Sequence, residues 1–171
     1  MAFWIGLAIF ILASIVAERL LPPQYKKFMP ILVMVVLTFF GLFRYEIGTD
    51  YDWYIVLFDT VKIDDLYPEP TFLLLVDFLH QFHFSYQVMF IAYELPIMLR
   101  LWSGIRYYTK DTEIQILIVA LYYCLQYFFS LNGIRQGLSM VLIFWGYRYC
   151  LERSLWKYLL VVALAASMHY S

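Results

Sequence analysis

In this chain of 171 residues the side chains able to do chemistry are a few charged groups and imidazoles set in apolar sequence. Arg135 is the clearest. It follows Asn132-Gly133, a tight reversal, and so falls in the first turn of the helix that the reversal opens. The helix macrodipole disfavours a cation at that end. An arginine beside backbone N–H groups at a helix start is, however, a good receptor for phosphate or pyrophosphate. Asn132, Gly133 and Gln136 add donors, and Gly137 permits close approach of another helix. The structural alternative is a snorkelling arginine, or one paired with Asp50 or Asp52.

Arg44 is followed at once by Gly48-Thr49-Asp50-Tyr51-Asp52, a polar turn among aromatics. It reads either as a second anion site or as an arginine snorkelling to the headgroups. His169 lies about 21 Å along a helix that starts at Ser154. That depth matches the one expected for Arg135. A histidine in an apolar helix is either hydrogen-bonded within its bundle or functional, because ionisable groups are costly in a membrane. Asp77-x-x-His80-x-x-His83 imitates metal-ligand spacing, but a polar-striped interface helix accounts for it, and no metal is expected. Glu94 and Arg100 read as a structural or interfacial feature. Cys124 and Cys150 sit in or at the end of apolar blocks and read as packing residues. The chain has no Gly-x-x-x-x-Gly-Lys phosphate loop, so nothing points to nucleotide-driven chemistry.

The elements that carry these residues are membrane helices. Hydrophobic residues make up 64% of the chain and charged ones 15%, too few for the surface of a soluble domain. The apolar residues come in long uncharged blocks, as a hydrocarbon core of about 30 Å requires, and not in the short alternating segments of a β-barrel. A net charge of −1 argues against nucleic acid as a partner. The punctuation places helices at about 2–21, 29–43, 86–105, 113–131, 133–151 and 155–171. Pro22-Pro23 ends the first, Thr112 with Gln115 caps the fourth, Ser154 caps the sixth and Pro96 kinks the third. The fold class is therefore all-α: a polytopic transmembrane bundle of about five complete spans and a truncated sixth. The whole chain, 1–171, forms one transmembrane domain.

Nine of the twelve basic residues flank the connections after the first, third and fifth spans. The positive-inside bias puts these connections in the cytoplasm, with the N-terminus outside and the first helix retained. Segment 44–85 is then an outer-face loop, acidic through Glu46, Asp50, Asp52, Asp59, Asp64, Asp65 and Glu69 and rich in interfacial aromatics such as Trp53, Tyr54 and Tyr67. Its second part, about 70–83, carries the stripe Asp77, His80 and Gln81, which predicts an interfacial or re-entrant helix that does not cross.

Three motifs, in this order and spacing, resemble the EpsG family of exopolysaccharide-biosynthesis membrane proteins. They are Arg44-x-x-x-Gly48-x-Asp50-x-x-x-Tyr54 followed by Glu69-Pro70, then Asn132-Gly133-Ile134-Arg135-Gln136-Gly137, then a helix ending in Ala165-Ala166-Ser167-Met168-His169-Tyr170-Ser171. The resemblance implies a multi-pass protein of the bacterial cytoplasmic membrane. It also implies a Wzy-like polymerase acting on polyprenyl-pyrophosphate-linked oligosaccharide for exopolysaccharide or capsule, alongside other polysaccharide-assembly membrane proteins. On that reading Arg135, Asp50 and His169 are the candidate catalytic residues. Arg44, Asn132, Gln136 and Tyr54 are the candidate substrate-binding residues, and no cofactor is implied. Members of the family are about twice as long, so the chain is expected to be the N-terminal part of a longer protein. The rival readings are a non-catalytic membrane subunit and a component of a lipid-linked sugar transporter or flippase.

Overall fold

In lipid, every backbone N–H and C=O must find its partner inside the protein, and a helix does this within one segment. The computed structural model describes residues 2–63, 65 and 69–169, and its regular structure is all helical among them. Asp64, Tyr67, Tyr170 and Ser171 lie outside the described residues. The first elements are α1 (Ala2–Leu20), α2 (Pro23–Lys26), α3 (Phe28–Leu42), α4 (Tyr51–Thr60) and α5 (Pro70–Gln81). Then come α6 (Tyr86–Tyr108), α7 (Thr112–Tyr122), a π-helical turn (Tyr123–Tyr127), α8 (Phe128–Asn132), α9 (Ile134–Gly146), α10 (Arg148–Leu151) and α11 (Leu155–Met168).

Four segments are long and apolar enough to cross a membrane: Phe3–Leu20, Pro23–Leu42, Tyr86–Tyr108 and Thr112–Asn132. The remaining two expected spans are shorter pieces. Tyr147 separates α9 from α10, and α11 has 14 residues, about 21 Å of helix. α6 runs on through Pro96.

Segment 44–85 holds one helix more than expected. α4 forms because Tyr51, Tyr54, Leu57 and Phe58 fall on one face and are buried there, while Asp52, Trp53 and Asp59 face outward. The helix expected at 70–83 is α5, opened by Pro70 at its first turn. Its 12 residues reach about 18 Å, well short of the hydrocarbon thickness. The polar stripe is satisfied locally. Gln81 Nε2 donates to Asp77 Oδ2 at 2.7 Å, and the His80 ring meets Phe58 edge-on at 4.5 Å.

Two caps differ from expectation. Asp111, one residue earlier than Thr112, caps α7 by accepting from the Glu113 and Ile114 amides at 2.8 and 3.2 Å. A carboxylate in reach of those amides is the stronger acceptor. Thr112 turns instead to Glu18 of α1, at 2.7 Å. Ser154 occupies the cap position of α11 without a side-chain capping bond.

The π-helical turn aims Tyr123 and Tyr127 inward, next to Tyr122 at the end of α7. Tyr127 donates to the Leu37 carbonyl at 2.7 Å, Tyr123 to that of Trp4 at 2.8 Å, and Tyr122 pairs with Ser130 at 3.1 Å. The first two bonds tie the α7–α8 rod to α3 and α1, and the third lies within the rod. α6 packs between α3 and α9, and α9 packs on α11. Successive rods run antiparallel, so the ends of α3 and α11 and the starts of α5 and α9 meet at one end of the bundle. There a Cβ on Gly137 would lie 2.8 Å from Ser130 Cβ, so only glycine lets α9 fold back on α8 this closely. Gly137→Val is expected to cost about 1–3 kcal/mol through overpacking. Thermal unfolding of the detergent-solubilised protein would read this as a lower midpoint. An unchanged midpoint would mean that the α8–α9 junction can open without loss.

Candidate functional site

The site begins with a proline. Pro70 holds the residue before it extended, and Glu69 accordingly takes φ −56° and ψ 148° at the mouth of α5. Its side chain is 3% exposed and points into the bundle. One carboxylate oxygen, Oε2, accepts from Nη1 of Arg135, which is 6% exposed in the first turn of α9. The other, Oε1, lies 2.7 Å from Nδ1 of His169, the residue that ends α11. One carboxylate thus joins α5, α9 and α11. Thr71 reinforces the join by donating to the Ser167 carbonyl at 2.5 Å.

The rings of Tyr54 and Phe72 flank the Arg135 guanidinium, with centroids 5.8 and 5.3 Å away. Burial pushes the Tyr54 hydroxyl up in pKa, and the charge of Arg135 pulls it back. An apolar cleft of about 330 Å³ adjoins the cluster, lined by Thr71, Tyr93, Pro96, Leu138, Leu142 and Met168 among others.

A second polar group supports this one from the side. Arg44 is 2% exposed; its guanidinium stacks on Phe90 at 4.0 Å and donates to the Leu131 carbonyl near the end of α8. That carbonyl is one of those a helix end leaves unsatisfied. Asn132 Oδ1 accepts from the Thr49 amide at 2.6 Å, and the Thr49 hydroxyl lies 3.1 Å from Asp50 Oδ1. Gly48 makes this clamp possible. It has φ +101°, and a Cβ there would meet Asn132 Oδ1 at 2.8 Å. The 44–50 loop therefore grips the α8–α9 reversal, which in turn sets where Arg135 points.

Of the residues singled out in the sequence, the structure brings Arg135, His169 and Tyr54 together. Arg44, Asp50 and Asn132 form the adjoining clamp, and Gln136 is half-buried against Gly133. Arg44 is packed inside the protein and does not snorkel. The carboxylate that Arg135 meets is that of Glu69, not Asp50 or Asp52. Glu94 does not associate with Arg100: six residues apart on a helix, the two face different ways. Glu94 is buried over Gly41 on the Arg44 side, while Arg100 stacks on Trp145 at 4.5 Å. Sequence reasoning passed over Glu69 as a site residue. The available signal was an acid directly before a helix-opening proline, in a chain with a buried arginine to neutralise.

A nitrogen–carboxylate contact of this kind fixes a histidine's tautomer. With the proton on Nδ1 facing Glu69, Nε2 keeps its lone pair and can accept a proton. Arg135, on the other carboxylate oxygen, brings positive charge to the same place. The cluster can therefore abstract a proton next to a cationic group. Comparison with protein families bears on which chemistry this serves: the model of the EpsG family matches residues 26–171. The chain belongs to the EpsG family. The match to EpsG takes in α3 and everything after it, including every residue of both polar groups, and leaves α1 outside. Membership makes the chain an exopolysaccharide-biosynthesis membrane protein, in keeping with its apolar helices. No curated protein and no solved structure matches the chain.

Removing one partner of a buried ion pair costs about 3–5 kcal/mol. Glu69→Gln and Arg135→Gln should each destabilise the protein on that scale. The double variant should lose less than the sum, by about 1–3 kcal/mol. Urea or thermal unfolding of all four proteins in one detergent measures the cycle. Strict additivity would mean that the two side chains do not support each other.

Proposed function

We propose that this EpsG-family chain acts in polymerising polyprenyl-pyrophosphate-linked oligosaccharide repeat units at the outer leaflet of the bacterial cytoplasmic membrane, as a Wzy-like glycosyl-transferring polymerase. The observation that supports this most is the Glu69 carboxylate held between Arg135 and His169. Glycosyl transfer from a lipid pyrophosphate needs a base for the acceptor and positive charge for the leaving group. His169 Nε2 takes the proton of an acceptor sugar hydroxyl, and that oxygen bonds to the anomeric carbon of the donor. The bond from that carbon to the pyrophosphate breaks, and its electron pair leaves with the phosphate. Arg135, at a helix N-terminus, stabilises the charge that develops. Glu69 positions both groups.

Tyr54 lies against Arg135 as a substrate-facing ring. Arg44, Asn132 and the 44–50 loop hold the reversal in place, with Asp50 and Gln136 at its exposed margin. The apolar cleft beside the cluster suits an isoprenoid chain. No metal is invoked, because arginine carries the phosphate charge.

The proposed orientation follows the charge bias of the loops. The N-terminus and segment 44–85 lie outside, five spans are complete, and α11 begins a sixth. Lys62→Cys, in a chain with Cys124 and Cys150 replaced, should then react with an impermeant thiol reagent added outside the cell. Reaction only from the cytoplasmic side would overturn the orientation.

The catalytic reading is tested in cells by polymer length, with membrane levels of each variant measured alongside. A general base contributes about 10²–10⁴-fold, so His169→Gln should leave little polymer. Arg135→Lys keeps the charge and loses the planar fork, and should shorten the polymer severely. Both variants reaching normal levels and making polymer of wild-type length would end this reading.

A further inference from the structure

The far end of the bundle, opposite Glu69, is built differently. Where α6 and α9 finish, a cavity of about 370 Å³ is lined by Ser103, Arg106, Tyr107, Lys110 and Arg148, with Leu99 and Trp102 at its base. None of its three cations makes an ion pair among the described residues. Glu152 faces the Tyr107 hydroxyl. Arg148 is held in place by stacking on Trp145 and Tyr149 at 4.0 and 4.6 Å, and its Nη2 donates to the Tyr149 hydroxyl at 2.6 Å. Its buried Nε has no protein acceptor. Lys110 Nζ reaches the Arg106 carbonyl at 2.5 Å, which holds the ammonium over the cavity.

Leu99 and Trp102 also line a second hollow. This is an apolar groove of about 360 Å³ between α3 and α6, walled by Ile31, Val35 and Phe39 on one side and Leu95 and Met98 on the other. From Ile31 to Leu42 it follows α3 for roughly 17 Å, close to the depth of one leaflet, about 15 Å. A cationic cup therefore opens, through two shared residues, into an apolar channel one leaflet long. A soluble phosphate would use the cup and leave the groove unused. A neutral lipid would use the groove and leave three like charges facing one another.

We infer that this composite surface binds one anionic glycerophospholipid, with its phosphate between Arg106, Lys110 and Arg148 and an acyl chain along the α3–α6 groove. The bound lipid bridges α3, α6 and the α9–α10 junction at the end away from the Glu69 cluster. It is independent of the polymerase reading, since no residue of that cluster takes part.

The purified full chain, stripped of lipid and offered equal amounts of phosphatidylglycerol and phosphatidylcholine, should retain the former several-fold over the latter in native mass spectrometry. Inorganic phosphate alone should not raise the thermal midpoint, and phosphatidylglycerol should. Lys110→Gln and Arg148→Gln should each reduce the preference about fivefold. Arg153→Gln, at the same end but outside the cup, should leave it intact. Val35→Trp fills the groove from its lipid-exposed side and keeps every cation, and it should abolish retention even if the cup variants fold poorly. Equal retention of the two lipids, stabilisation by phosphate alone, an Arg153→Gln effect as large as that of Arg148→Gln, or full retention by Val35→Trp would each overturn the inference.

Discussion

A guanidinium inside an apolar bundle is costly unless a counter-charge, hydrogen-bond acceptors or an aromatic face meets it. Arg135 finds them in Glu69, and most of the architecture at that end follows from this one contact. Because Glu69 uses one oxygen for Arg135 and the other for His169, the starts of α5 and α9 and the end of α11 cannot drift apart without uncovering a charge. Pro70 fixes the backbone on the α5 side, and the Thr71–Ser167 bond fixes it on the α11 side. The carboxylate is thus a structural joint, and in the proposed mechanism it also limits the freedom of His169 to turn away from an acceptor.

The joint would be of little use if the α8–α9 reversal could move. Its position is set by backbone-directed contacts together with the buried side chains of Leu131 and Ile134. Arg44 caps the Leu131 carbonyl, Asn132 takes the Thr49 amide, and the π-helical turn carries Tyr127 onto the Leu37 carbonyl of α3. Each contact satisfies a polar group that would otherwise be stranded in a poorly solvated place. Two residues without a β-carbon, Gly48 and Gly137, let the chain come close enough for these contacts to form.

The long helices were legible because a bilayer imposes length and apolarity, and both are written in composition. Ala2–Leu20 and Tyr86–Tyr108 fall within a turn of where uncharged blocks and prolines put them. Arg135 and His169 stood out as ionisable groups in apolar sequence, and the family resemblance supplied the chemistry to consider. Glu69 could be read as part of a motif but not as the partner of Arg135. The two are 66 positions apart, and no periodicity links an acid in a loop to a cation on a later helix. α4 was hidden because its buried stripe of Tyr51, Tyr54, Leu57 and Phe58 has the composition of an interfacial loop as well as of an amphipathic helix. The π-helical turn left no trace, since inserting one residue into a helix changes register without changing composition.

The Glu69 cluster and the cationic cup manage charge in different ways. At the Glu69 end, cations are buried and met by protein groups: a carboxylate for Arg135, a carbonyl and an aromatic face for Arg44. Their orientation is then largely independent of salt and of membrane surface potential. At the other end Arg100 and Arg148 both lie over the Trp145 ring, and Lys157 lies over Tyr149. An aromatic face orients a cation without neutralising it. On the lipid-binding inference, anionic lipid is the counter-charge for Arg106, Lys110 and Arg148, which make no ion pair among the described residues. The Glu69 cluster therefore carries its counter-charge within the protein, and the cup, on that inference, takes its own from the membrane.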